Sequence, residues 1–267
     1  MSHSLTDKLT GVTAKRTAHE RFPEVLAAAV RVFARDGYRS AHMSDVAREA
    51  GLSEAAIYRY VDSKEALFAL AIRHALLLEP LPAATAELTA VFPLKAPSLA
   101  EMIRQTRDFV AAEVPFGSLA EALLLTDTDG PADPAAELES ITRELFGLEE
   151  LTAQAADMIE RSARELPELA DLLNTGLRRP VLDALSTYLD SRAKAGKLRA
   201  TPDTAATARL VLETLTWFAR HRHSDPYGAA IPASLAQDTA VDALLHALVP
   251  PQYLAARFLK AHDDEER

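Results

Sequence analysis

The chain has 267 residues, 48% of them hydrophobic and 25% charged, which is enough for one large or two modest globular units with a sizeable core. It holds no cysteine, and no run approaches the roughly 18 apolar residues of a membrane span; disulfides, thiolate metal sites and membrane-spanning helices are thereby excluded from expectation. The net charge of −10 is unevenly spread, with 11 Lys and Arg against 9 Asp and Glu in residues 1–78, and 18 against 30 in the remainder, so the acidic bulk would resist indiscriminate adhesion to nucleic acid and leave any such contact to a small surface.

Residues 1–18 are polar and aperiodic and read as a mobile arm. Their start, MSHSLTDKLT, lacks the apolar core of a signal peptide, so a soluble cytoplasmic protein is expected. The first helix is predicted over 22–35, where Leu26, Ala29, Val30 and Phe33 repeat at the spacing of one buried stripe. Pro23 is placed in its first turn, where a missing N–H is no loss, and Gly37 stops it. Tyr38 is expected to pack beneath residues 42–61. A second helix is predicted over 44–50, with Val46, Ala47 and Ala50 inward, capped by Ser44 or poorly capped. Gly51 breaks it, Leu52 fills the corner, and Ser53 caps a third helix over 54–61 with Ile57 inward. Asp62 and Glu65 look like a capping box for a fourth helix running toward residue 78.

Pro80 and Pro82 mark a boundary. Beyond them helices are predicted at 98–113, 118–126, 134–146, 148–164, 167–195, 203–222 and 233–248, with a tail helix at 251–262. Pro180 requires the 167–195 helix to kink or to start afresh near residue 178. No strand pattern is convincing. The expected fold is all-α: an arm (1–18), a three-helix head with a helix-turn-helix (19–79, motif 42–61), and a larger helical-bundle domain (80–267).

The stretch 42–61, HMSDVAREAGLSEAAIYRYV, carries the chemistry. A short helix, a glycine turn and a second helix form the helix-turn-helix, whose second helix lies in a DNA major groove. The second helix turns Ser53, Ala55, Ala56, Tyr58, Arg59 and Tyr60 outward, and small residues at 55 and 56 would let it approach a base edge closely. Together with FARDGY before the motif and DSKEALF after it, the segment 20–78 resembles the TetR family of bacterial transcriptional regulators. The resemblance implies a homodimer that inserts two recognition helices into successive major grooves of a palindromic operator in double-stranded DNA. It also implies a small-molecule effector in the C-terminal domain. Carried over by position, Tyr58 and Tyr60 match aromatic residues that pack and bond phosphates, and Lys64 matches a lysine that meets a phosphate at a helix N-terminus. Ser53 caps and can bond the DNA backbone. Arg59 is the candidate base reader, since its fork suits guanine O6 and N7. His42 stands where Ser or Thr is more usual. Glu54 stands where lysine is common and Ala55 where glycine is.

By the same resemblance the helices at 203–222 and 233–248 form a dimer interface, each offering an apolar stripe: Leu210, Leu215 and Phe218 on one, Val241, Leu244, Leu245 and Leu248 on the other. The effector is expected to be partly apolar, because Leu, Ala, Ile and Val dominate the central helices. No catalytic motif, metal-ligand spacing or cofactor signature is found; His221 and His223 lie two apart and cannot share a helix face. The chain is therefore expected not to be an enzyme. The alternative is a helical ligand-binding or catalytic protein whose head no longer binds DNA, motivated by Glu54 and the modest positive balance of the head.

Overall fold

The computed structural model describes residues 18–76, 93, 98–113, 117–124 and 131–255. The expected arm up to residue 17, the boundary prolines 80 and 82, and residues 256–262 of the tail helix lie outside them. The described residues form helices and the turns between them, with no strand element among them. The fold is all-α.

Helix α1 spans Ala18–Ser40 and buries Phe22, Leu26, Ala29, Val30 and Phe33. It begins a turn earlier than expected, so Pro23 lies inside it rather than in its first turn, and the carbonyl four residues before receives no N–H from it. Gly37 breaks the helix with φ 77° and ψ 174°, a region essentially reserved for glycine, and a last turn runs on to Ser40. Helix α2 is Met43–Glu49, α3 is Glu54–Ile57 and α4 is Lys64–Ala75. The cap of α4 is Ser63, whose Oγ accepts from the Ala66 N–H at 3.0 Å, in place of the expected Asp62–Glu65 pair; Asp62 instead accepts from the Ser63 hydroxyl. Aromatic rings knit these helices together: Phe33 meets Phe68 edge-on at 5.0 Å, and Tyr38 lies 5.0 Å from Phe68 and stacks on Phe33.

The remaining helices are α5 (Leu99–Glu113), α6 (Gly117–Leu124), α7 (Pro134–Leu151), α8 (Ala153–Ala163), α9 (Pro167–Asp171), α10 (Arg179–Lys194), α11 (Thr204–Ala219) and α12 (Ala233–Leu248). Between α9 and α10 the chain makes a π-helical stretch, Leu172–Arg178. Its wider i→i+5 turn resets the ladder, so Pro180 falls in the first turn of α10.

Two apolar clusters organise the molecule. One joins the head to α5, α8 and α9 through Met102, Ile103, Met158, Ile159 and Leu169; it therefore crosses residue 79, where the sequence suggests a division. The other fills the space among α6, α7, α10, α11 and α12. Each large apolar side chain buried in them contributes about 1.5–3 kcal/mol relative to exposure. Leu215, Val241, Leu244, Leu245 and Leu248 belong to the second cluster, each at 5% exposure or less. This corrects their expected place at a dimer surface. The apolar stripes of α11 and α12 are spent within their own protomer, on α7 and α10. Leu210 stays exposed and Phe218 half-buried.

Buried charge in the bundle is paired. Arg192 is fully buried and holds both Glu137 carboxylate oxygens, at 2.9 and 3.0 Å, and the Ala122 carbonyl at 2.7 Å. Buried Arg222 donates to the Phe218 and Ala219 carbonyls that end α11, a C-terminal cap by a cation. Among the described residues no helix is long and apolar enough to cross a membrane.

Candidate nucleic-acid interface

The motif folds as a helix, a glycine turn and a second, shorter helix. His42, rather than Ser44, is the N-cap of α2, and its backbone N–H donates to the Asp45 carboxylate at 3.3 Å. Gly51 takes φ 64°, and the Leu52 N–H returns to the Ala47 carbonyl at 2.8 Å. That bond closes the end of α2 and aims the chain into α3. Ser53 caps α3 as expected, its Oγ accepting from the Ala56 N–H at 3.3 Å.

Helix α3 is one turn long, where the sequence suggests two. After Ile57 the N–H groups of Arg59 and Tyr60 reach back only three residues, to Ala56 and Ile57 at 3.3 and 2.8 Å, and the helix tightens into turns. The cause is tertiary. The Tyr60 ring stacks on Phe22 at 5.7 Å, and Tyr60 and Val61 are buried, so the chain must bend inward at this point. Tyr60 and Ala56 thus face the head core, at 5% and 6% exposure, rather than outward.

What remains outward is a ridge of Ser53, Glu54, Ala55, Tyr58 and Arg59, with His42 and Arg48 exposed beside it on α2. Arg59 stands open to solvent, and Tyr58 is 43% exposed. Ile57, fully buried, and Tyr60 pin the back of the ridge. Such an arrangement offers one guanidinium fork, one phenol and one hydroxyl on a rigid base, together with one carboxylate, Glu54, that phosphate oxygens would repel.

Lys64 is the first residue of α4. Its Nζ donates to the Arg39 carbonyl at 3.1 Å and lies 4.9 Å above the Tyr38 ring. Burial lowers its pKa, partly offset by Glu165. The ammonium is a clasp between α4 and the end of α1, with donors left over for a phosphate.

Two features fall outside what the sequence suggests. The first is the attachment of the head to α8, where the Tyr38 N–H donates to Ser162 Oγ at 3.0 Å and the Arg39 N–H to Glu165 at 3.1 Å. The second is a cleft of about 500 Å³ between the end of α4, the α7–α8 junction and the end of α11. Its wall includes His74, Leu151, Ala153, Gln154, Asp157 and Arg220. Arg220, its side chain 3% exposed, meets Glu149, Asp157 and Glu160 at 3.3, 3.2 and 3.0 Å. Burial lowers the pKa of His74, which favours a neutral imidazole. Arg104 and Arg107 form ion pairs, with Glu101 and Asp108 and with Asp171 respectively.

Residues 25–71 match the family model for bacterial regulatory proteins of the tetR family. No curated protein matches the chain. Among solved structures, a transcriptional regulator from Rhodococcus sp. Rha1 is similar at 23% identity, covering 88% of this chain and 100% of that one with a TM-score of 0.44. The fatty acid degradation regulator FadR of Bacillus halodurans is similar at 17% identity, covering 86% and 97%, TM-score 0.44. The regulator FadR of Bacillus subtilis, solved with stearoyl-CoA, is similar at 15% identity, covering 83% and 96%, TM-score 0.44. Superpositions this loose carry no argument about ligand or partner. The match over residues 25–71 lies on the helix-turn-helix and the helices that hold it. Residues 25–71 thus form a helix-turn-helix segment similar to that of the bacterial regulatory proteins of the tetR family.

Proposed function

We propose that the protein represses transcription as a cytoplasmic homodimer on a palindromic operator and leaves it when a small, partly apolar ligand binds. In this reading residues 19–79 read DNA and residues 80–267 take the ligand and form the dimer. The observation that carries it is the ridge itself: Arg59 and Tyr58 stand open to solvent on a turn whose inner side is fixed by Ile57 and Tyr60. An exposed guanidinium held on a rigid base is suited to bidentate recognition of guanine. Ser53 and Lys64 add backbone contacts. The outward faces of α11 and α12, with Leu210 at 61%, Trp217 at 37% and Leu235 at 55% exposure, are the surface offered to a second copy. The cleft beside α4 combines Ala75, Leu151 and Ala153 with carboxylate and imidazole groups, which suits a ligand with an apolar part and a hydrogen-bond donor.

Exposed Glu54 favours the second reading, a ligand-binding protein whose head no longer holds DNA. Selection of bound sequences from random duplexes separates the two. Enrichment of an inverted repeat with half-sites one helical turn apart, about 34–36 Å or a multiple, is the expected result. No enrichment even at low salt, where phosphate contacts are strongest, would overturn the repressor reading.

A further inference from the structure

The last turn of α1 is where the head meets the body, and its backbone is not satisfied by the head alone. Beyond the break at Gly37 the N–H groups of Tyr38 and Arg39 donate to Ser162 Oγ at 3.0 Å and to Glu165 Oε2 at 3.1 Å. Both acceptors stand at the C-terminal end of α8, 124 and 126 residues away in the chain. Ser162 is fully buried, so its hydroxyl is not exchangeable for water. The approach is close: a Cβ on Gly37 would lie 3.2 Å from Arg161 Cγ. The carbonyl of the same residue, Arg39, accepts from Lys64, the first residue of α4. One corner therefore joins α1, α4 and α8.

The middle of α8 is fastened to the body. Asp157 and Glu160 both bind Arg220 at the end of α11, and Glu149 of α7 holds the same guanidinium. From Asp157 to the helix end at Ala163, a rise of about 1.5 Å per residue spans roughly 9 Å. This short rod packs on the head through Met158 and Ile159, is held to the body at Asp157 and Glu160, and bonds the head backbone from Ser162 and, just past its end, Glu165.

We propose that Ser162 and Glu165 are positioning residues for DNA binding, forming a latch that fixes the angle at which the body carries the head. The proposal rests on the DNA-binding reading above. A dimer reaches two half-sites only when both heads are held at one spacing, so a loosened corner lowers specific affinity without touching the reading ridge.

The test uses the full chain with Ser162→Ala, Glu165→Ala and the conservative Glu165→Gln, which keeps an acceptor oxygen. Hydrogen exchange is read at the Tyr38 and Arg39 amides, and affinity is measured for a duplex selected by the wild type and for a scrambled duplex. Expected are at least ten-fold faster exchange at Tyr38 in Ser162→Ala and at Arg39 in Glu165→Ala, with the middle of α1 unchanged. Specific affinity should fall about five- to ten-fold, the scale of one lost buried hydrogen bond, while scrambled-duplex binding and its salt dependence stay as in the wild type. Glu165→Gln should recover most of the loss. Glu165 is only half-buried, so its variants fold even where Ser162→Ala does not. Unchanged exchange, or changed exchange with unchanged specific affinity while the wild type binds, overturns the latch alone. A wild type that binds neither duplex removes the DNA reading and the latch's role with it.

Discussion

At the scale of the residue, exposure divides the motif into side chains open to solvent and side chains that hold the core. Tyr58 and Tyr60 look equivalent in sequence, yet one is 43% exposed and the other 5% exposed and stacked on Phe22. Arg59 is the proposed base reader: it is exposed, and its removal should cost the fold little, within about 0.5 kcal/mol for such a site. Arg59→Ala should therefore leave the thermal midpoint nearly unmoved. It should also erase discrimination at one base pair of each half-site, worth about 1–3 kcal/mol. Competition between the selected duplex and single-base variants measures this, and discrimination that survives the substitution would move the reading role elsewhere on the ridge. Lys64 shows the opposite case. Its position at the start of α4 suggests a phosphate contact, and that remains open to its spare donors, but its first partner is the Arg39 carbonyl.

At the scale of the element, punctuation was legible because capping and turn chemistry are local. Gly37, Gly51, Ser53 and the prolines near 134, 167 and 232 each mark an end that the structure keeps within a few residues. The helix lengths in the head were less legible, since what shortens α3 is the burial of Tyr60 against Phe22, on a helix far earlier in the chain. The fate of the late apolar stripes was not legible at all. Periodicity says that one face of a helix is buried, and it says the same whether the cover is the chain's own α7 or a second subunit. The α8 corner was equally hidden, because a serine that serves an amide 124 residues away leaves no local signature.

The two turn glycines of the head allow a comparison at this same scale. Gly37 combines φ 77° and ψ 174° with a helix packed 3.2 Å from any added Cβ, whereas Gly51, at φ 64°, has open space around it. Gly51→Ala should cost about 1–2 kcal/mol, the left-handed backbone penalty alone. Gly37→Ala should cost about 2–3 kcal/mol from its glycine-only conformation, and more if Arg161 cannot give way. Denaturant midpoints of the two variants supply the check; equal losses would mean that the corner yields and that α8 is not tightly seated there.

At the scale of the whole molecule, the question is which surface faces a second copy. The buried stripe of α11 and α12 is excluded, since Leu245 at 5% exposure already belongs to the protomer core. What α11 leaves outside is Leu210 and Trp217, seven residues apart on one face, with Trp217 braced edge-on by Phe218 at 4.9 Å. A charge at each class of position should act in opposite ways. Leu245→Glu places a carboxylate without a partner in the core and should unfold or severely destabilise the chain, by more than about 3 kcal/mol. The double variant Leu210→Glu, Trp217→Glu removes no fully buried side chain and should keep its helicity by circular dichroism. In analytical ultracentrifugation it should sediment as a monomer where the wild type sediments as a dimer, and its affinity for the selected inverted repeat should fall toward that for a single half-site. A variant that stays dimeric would place the subunit contact on another face, and a wild type that is already monomeric would leave the inverted repeat without a partner for its second half.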